Sequence, residues 1–395
     1  MAQTIPLGIR AEGAEQTRDL SQTASVPWFV WSGILAVSSI AFGLYWDISW
    51  HMTIGRDTFW TPAHLAVQFG GILAAITCMV LIFSTTFSSN SAARATSVRV
   101  WGFRGPLGAF LTAWGGVTMV TSAPFDNWWH NSFGLDVEIF SPPHVVLGLG
   151  IMGVGVGCLF LILAQKNRAT GLARERLDFL YLFLCGLLLV LHLILVSEFS
   201  DASLMHNSLF YRAITFGTPA FLIAYGRASD HKWGATIIAA MYMGFFLAAM
   251  WIFPLFPAHP KLGPVYTNVT HMVPMGFPVL LIVPAFILDF LLNRLADRGR
   301  WLRAIVAGSA FLAALVAIQW SFGYFMISEH ARNWFFGQIY FPYQFPPSMH
   351  QRAYQFRLDP TWKDFWVGMG LAWFGCVISS RIGLTYGAWL SRIRR

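Results

Sequence analysis

Charge is scarce in this chain. Only 11% of its 395 residues are Asp, Glu, Lys or Arg, while 56% are hydrophobic and the mean hydropathy is +0.56; soluble domains carry roughly 25% charged residues. That deficit excludes an ordinary soluble enzyme and points to an integral membrane protein. Cysteine is sparse too. Cys78, Cys158, Cys185 and Cys376 all lie in apolar runs with no Cys-x-x-Cys spacing, which argues against disulfides and against a thiolate metal site. No haem or flavin motif is present, no His-x3-His series of the membrane-desaturase kind, and no soluble domain. The polar N-terminal thirty residues lack the charged stub, short apolar core and cleavage site of a removable signal peptide, so the first apolar run is expected to target the chain to the membrane. The formal charge of +8 hints at nucleic acid, but in so apolar a chain basic residues set orientation, and no nucleic-acid partner is expected.

What the chain does have is long apolar segments. A helix of about 18 to 25 such residues crosses the hydrocarbon layer, and only helices satisfy their own backbone there. The expected fold class is therefore all-α, a polytopic membrane helix bundle of about ten transmembrane helices, near 27–46, 62–83, 105–122, 143–164, 177–197, 208–226, 234–253, 273–293, 301–325 and 363–380. Most of the 26 Lys and Arg fall in the N-terminus, the even-numbered loops and the C-terminal tail. The positive-inside rule then makes both termini cytoplasmic and the odd-numbered loops external. The organisation expected is a polar cytoplasmic segment 1–26, a region 27–165 holding two hairpins, and further spans over 166–395 with an ordered external loop at 326–362. The basic run from Gly383 is expected to lie along the cytoplasmic interface. The bilayer is the first partner, and a bacterial inner membrane with the His/Asp motifs toward the periplasm is the expected location.

One motif occurs twice. Trp46–His64 reads WDISWHMTIGRDTFWTPAH and Phe125–His144 reads FDNWWHNSFGLDVEIFSPPH. In each an acid, Asp47 or Asp126, is followed four residues later by His51 or His130. A second acid, Asp57 or Asp136, comes six residues on, and a Pro precedes His64 or His144 at the start of the next apolar run. The i, i+4 pair shares a helix face, Pro is tolerated in a first helical turn, and a short loop between antiparallel helices would bring the three ligands together. One carboxylate and two imidazoles suit copper, non-haem iron or zinc and leave positions open. Arg56, Asp57 and Asp136 are candidates for orienting those ligands from behind. A single His near a helix end is more often a hydrogen-bonded interfacial residue; the repeat favours the metal reading.

The first motif, with its RD, its TPAH and its Asp-x3-His-x12-His spacing, resembles the C subunit of the copper-dependent membrane monooxygenases, the particulate methane and ammonia monooxygenase family. The resemblance covers about residues 40 to 165. It implies a copper site at Asp47, His51 and His64 and a neighbouring site at Asp126, His130 and His144, where this chain carries Asp in place of the family's Asn. It also implies a monooxygenase, or one subunit of it, acting with oxygen on a small apolar substrate, with A-like and B-like subunits and a quinol electron donor as partners. The chain departs from the family in beginning almost at the first site and continuing for about six more spans. Two other classes stay open: a non-catalytic copper-handling protein, and a proton-coupled transporter using the Asp/His pairs. Glu198, Asp201 and His206 read as a structural cap, His350 and Glu329 as solvent-exposed, and the scattered methionines as gap-filling.

Overall fold

The computed structural model describes residues 25–55, 60–89, 94–134 and 141–394. Arg56, Asp57 and Asp136 lie outside the described residues. Helices α1 (Trp28–Thr53) and α2 (Pro62–Phe87) form one antiparallel hairpin, and α3 (Leu107–Phe133) and α4 (Pro142–Lys166) a second packed against it. A two-stranded turn, β1 (Val98–Val100) with β2 (Phe103–Gly105), lies between the hairpins and pairs Val98 with Gly105. The remainder comprises α5 (Gly171–Leu195), α6 (Ser208–Thr215), α7 (Thr218–Ala228), α8 (Gly234–Ile252), α9 (Ile282–Arg294), α10 (Arg300–Ile327), α11 (Pro347–Ala353) and α12 (Trp362–Leu390).

Among the described residues seven helices are long and apolar enough to cross a membrane: α1, α2, α4, α5, α8 extended to Leu255, α10 and α12. The expected count of about ten is corrected accordingly. Helix α3 has the length, 27 residues, but not the hydropathy. The expected span 208–226 is split into α6 and α7 at Phe216 and Gly217. Gly217 takes φ 154°, and a Cβ there would come within 2.9 Å of the His192 ring. The expected span 273–293 becomes helical only at Ile282; Pro274 and Pro278 lack the N–H groups that an earlier start would need. The C-terminal run also differs from expectation. Gly383 and Gly387 continue α12 and lie against the backbone of Ala220 and Ala224 on α7.

The second hairpin closes on a seam of glycines. A Cβ at Gly115 would stand 2.6 Å from the Gly150 carbonyl oxygen, and one at Gly157 2.5 Å from the Thr112 nitrogen, so α3 and α4 meet backbone to backbone. That contact sets how closely Asp126 and His144 approach across the hairpin. Gly157→Val should lower stability by about 3 kcal/mol through overpacking, read as a shifted unfolding midpoint in detergent.

At the end of the bundle that carries Asp47 and His64, long loops pack down on the helix ends. Lys261 N donates to the Ile54 carbonyl at 2.9 Å, Tyr343 N to that of Met52 at 3.0 Å and Arg357 N to that of Ser203 at 2.9 Å. The 326–362 link packs onto the bundle here, with Tyr343 buried. His350, expected in solvent, is instead half-buried, stacked on Phe341 at 4.2 Å and hydrogen-bonded with Thr267 at 2.7 Å. Asp201 caps the turn at Ser203, as the capping reading anticipated.

His206 lies flat between Trp320 and Phe356, with ring centroids 3.9 and 3.7 Å away, and donates from Nε2 to the Trp320 carbonyl at 2.8 Å. Burial pushes its pKa below the ordinary histidine value, and the carbonyl hydrogen bond offsets this only in part. A histidine with a depressed folded pKa binds fewer protons folded than unfolded, so its contribution is intact above the unfolded pKa and is lost as pH falls below it. Thermal unfolding of the purified protein should therefore show a Tm that drops on acidification below about pH 6.5, with a smaller drop in His206→Gln. An equal drop in the variant would remove His206 from the account.

Candidate metal centres

Each hairpin is built so that three ligands converge. On α1, Asp47 and His51 are one turn apart near the C-terminal end. On α2, Pro62 occupies the first turn and Thr61 caps it, accepting from His64 N at 3.2 Å, which fixes the turn that carries His64. Asp47 then stands between the imidazoles: Oδ1 is 3.0 Å from His64 Nε2 and Oδ2 is 3.8 Å from His51 Nε2. In the second hairpin one oxygen, Asp126 Oδ1, is 3.3 Å from His130 Nε2 and 3.5 Å from His144 Nε2. Within each trio the ligand atoms all lie within 4.8 Å of one another.

Those separations can be set against coordination geometry. Two donors each about 2.1 Å from a tetrahedral ion stand about 3.4 Å apart. The observed spacings bracket that value, so the trios fit a single ion each without rebuilding the helices. The donor chemistry of nitrogen, nitrogen and carboxylate oxygen admits copper, iron and zinc alike.

The second trio also has its tautomer set. His130 Nδ1 is 2.9 Å from the Gly134 carbonyl oxygen, which can only accept, so Nδ1 carries the proton. Gly134 makes this contact from φ 98°, a conformation that favours glycine, while its own N–H caps α3 through the His130 carbonyl at 2.9 Å. In the neutral ring Nε2 is then a lone pair aimed at the Asp126 carboxylate. Two acceptors 3.3 Å apart need a proton between them, carried by the ring or by the carboxyl, or a metal ion. A metal-ligating histidine held by a carbonyl on its far nitrogen has this arrangement.

The two centres differ in exposure. His130 and Asp126 are buried, whereas the His51 side chain is 42% exposed. The first centre is the more exposed and the second the drier one. The structure brings all six expected ligands into two groups of three.

Two features went unread in the motif. Gln68 lies four residues past His64 on α2, and its Oε1 is buried without a hydrogen-bond partner among the described residues; the i, i+4 spacing from His64 was the available signal. Ser141, just before α4, has a buried hydroxyl in the same condition. The carbonyl that orients His130 has no signature in the sequence beyond the glycine that carries it.

Fold and site together define a polytopic membrane helix bundle with two His/Asp clusters able to chelate a metal. Comparison with family models, with curated proteins and with solved structures finds no match to this chain.

Proposed function

We propose that this chain is a membrane metalloprotein whose two hairpins each hold one metal ion, copper by resemblance to the membrane monooxygenases, and that it oxidises a small apolar substrate with molecular oxygen, alone or as a subunit. The observation that carries the metal reading is the His130 arrangement, in which Nδ1–H donates to a carbonyl and Nε2 faces a carboxylate. When bound, copper would supply redox chemistry toward oxygen, with electrons from a quinol. Asp47, His51 and His64 would hold it at the accessible centre, and Asp126, His130 and His144 at the drier one. The Asp126 carboxylate lowers the net positive charge at its centre relative to a neutral amide. On this reading the site end faces the non-cytoplasmic side, and A-like and B-like subunits would dock on the same bundle.

The exposure of His51 favours a second reading, a copper-handling protein that exchanges its ion with a soluble donor or acceptor. One experiment separates them. Purified protein in lipid nanodiscs is loaded with copper, assayed for metal content, and supplied with reduced quinol and a short alkane, alkene or ammonia. Oxidised product in proportion to bound copper supports the oxygenase. Copper that binds and transfers to a chelator without product supports handling, and the absence of bound metal removes both.

A further inference from the structure

The chain between Phe256 and Leu281 forms no helix, yet part of it is buried inside the bundle. Val273, Met275, Val279 and Leu281 are all core residues. Hydroxyl groups from neighbouring helices bind its peptides where a helix would have bound its own. Ser49 Oγ donates to the Val273 carbonyl at 2.6 Å, and Thr53 Oγ1 accepts from Val273 N at 2.8 Å. Tyr45 accepts from Met275 N at 3.1 Å, and Tyr242 from Val279 N at 3.0 Å. Tyr45, Ser49 and Thr53 form one stripe of α1, four residues apart. Tyr242 lies near the middle of α8, so this extended strip reaches about 15 Å below the C-terminal end of that helix.

Between the last two anchors the peptides are unclaimed. Among the described residues no hydrogen bond reaches the N–H of Gly276 or Phe277, or the carbonyls of Met275 to Pro278. Irregular backbone at such depth persists where it lines a cavity, and here Gly276, in the middle of the strip, is exposed and Phe277 half-buried. The strip forms one wall of a cavity of about 170 Å³ that Phe246 and Met326 also line, with Ser200, Asp201 and Gln338 among its polar groups. Asp201 is ion-paired with Arg357, so the lining holds no uncompensated charge. The Gln338 side-chain amide makes no hydrogen bond among the described residues. A cavity of this size accepts roughly six waters or one organic molecule of six to eight heavy atoms.

We infer that this cavity is a binding site for a small uncharged molecule with an apolar body and a hydrogen-bonding group, of the short-chain alcohol or amide class. The body lies against Met275, Met326 and Phe246. The polar group meets the free peptides at Gly276 and Phe277 and the Gln338 amide. Charged congeners are disfavoured because the one carboxylate in the lining, Asp201, is already paired with Arg357, so a buried charge there gains no free partner. The site is distinct from both metal centres and does not depend on the proposed oxidation.

The test uses metal-free protein in nanodiscs and four probes sharing one carbon skeleton: 1-butanol, butanamide, butanoate and butylammonium. Binding is measured by saturation-transfer NMR against empty nanodiscs, which account for partition into lipid. The neutral pair should bind saturably and the charged pair should not. A Cβ at Gly276 would meet nothing within 4 Å, so Gly276→Val projects into the open space and should weaken binding at least tenfold. Gln338→Leu removes the polar handle without filling the cavity and should weaken butanamide more than 1-butanol. If Gly276→Val fails to fold, Gln338→Leu carries the test alone. Neutral probes that bind no better than to empty nanodiscs overturn the proposal, as does equal binding of the charged pair or binding undiminished in the folded variants.

Discussion

His64→Ala should strip about one equivalent of metal from the purified protein and leave the second centre loaded. His64 is the better probe of the first centre because its Nε2 makes the closest approach to the carboxylate, 3.0 Å from Asp47 Oδ1, and because its side chain is only 15% exposed. Water can replace a lost imidazole at an exposed corner more easily than at a covered one, so His51→Ala should cost less affinity than His64→Ala. Removing a partner that merely orients a ligand weakens metal binding 10- to 100-fold, so losing the ligand itself should exceed roughly 100-fold. Elemental analysis after dialysis at defined free metal reads both variants. His64→Ala protein that keeps its full complement would rule out the first centre. The corresponding Asp126→Ala variant reports the second centre independently, because the two trios share no residue.

Lys166→Met should destabilise the fold by about 3 to 5 kcal/mol, the range for breaking a buried ion pair from one side. Lys166 is fully buried at the end of the bundle opposite the metal centres. Its Nζ donates to Asp178 Oδ1 at 2.7 Å and to the Ala228 carbonyl at 2.6 Å. The same ammonium lies 3.5 Å from Asp230, which Arg174 grips through two hydrogen bonds of 2.7 and 2.8 Å. This network ties the end of α4 to α5 and to the loop after α7. Methionine fills the lysine's volume but abandons the Asp178 carboxylate in a dry site, where among the described residues only the Asp230 N–H would still reach it. Adding Asp178→Asn should therefore recover part of the loss, since an amide keeps the acceptor for that N–H and carries no charge. Unfolding midpoints of the two single variants and the double variant in detergent check this. A Lys166→Met protein within about 0.5 kcal/mol of the parent, the range of neutral surface changes, would show that the pair is not holding this end together.

The two motif copies were legible in sequence because everything that defines them is local. Asp47 with His51, and Asp126 with His130, share a helix face by periodicity alone, and Pro62 and Pro142 announce the helices that bring back His64 and His144. Apolar length was enough to name the seven continuous spans and the all-helical class. Length was not enough for 208–226, which carries Arg212 and Gly217, or for 273–293, which is as apolar as the rest but carries Pro274 and Pro278. Sequence reading counts such residues as tolerable in a membrane helix, and whether the helix breaks depends on what stands ready to receive the freed peptide groups. Here the receivers include Ser49, Thr53 and Tyr45, more than two hundred residues from the peptides they hold.

By itself, then, the sequence determined a membrane helix bundle and the identity and spacing of six candidate ligands, since composition and short-range periodicity dictate both. Only the tertiary structure decided how near those ligands come, through glycines that let α3 and α4 touch along their backbones, and which nitrogen of His130 faces the carboxylate. It alone decided that an extended strip lines a cavity in the second half of the chain. The physical reason is the same throughout: close approach and hydrogen-bond completion are properties of pairs of distant segments, and no single stretch of chain carries them.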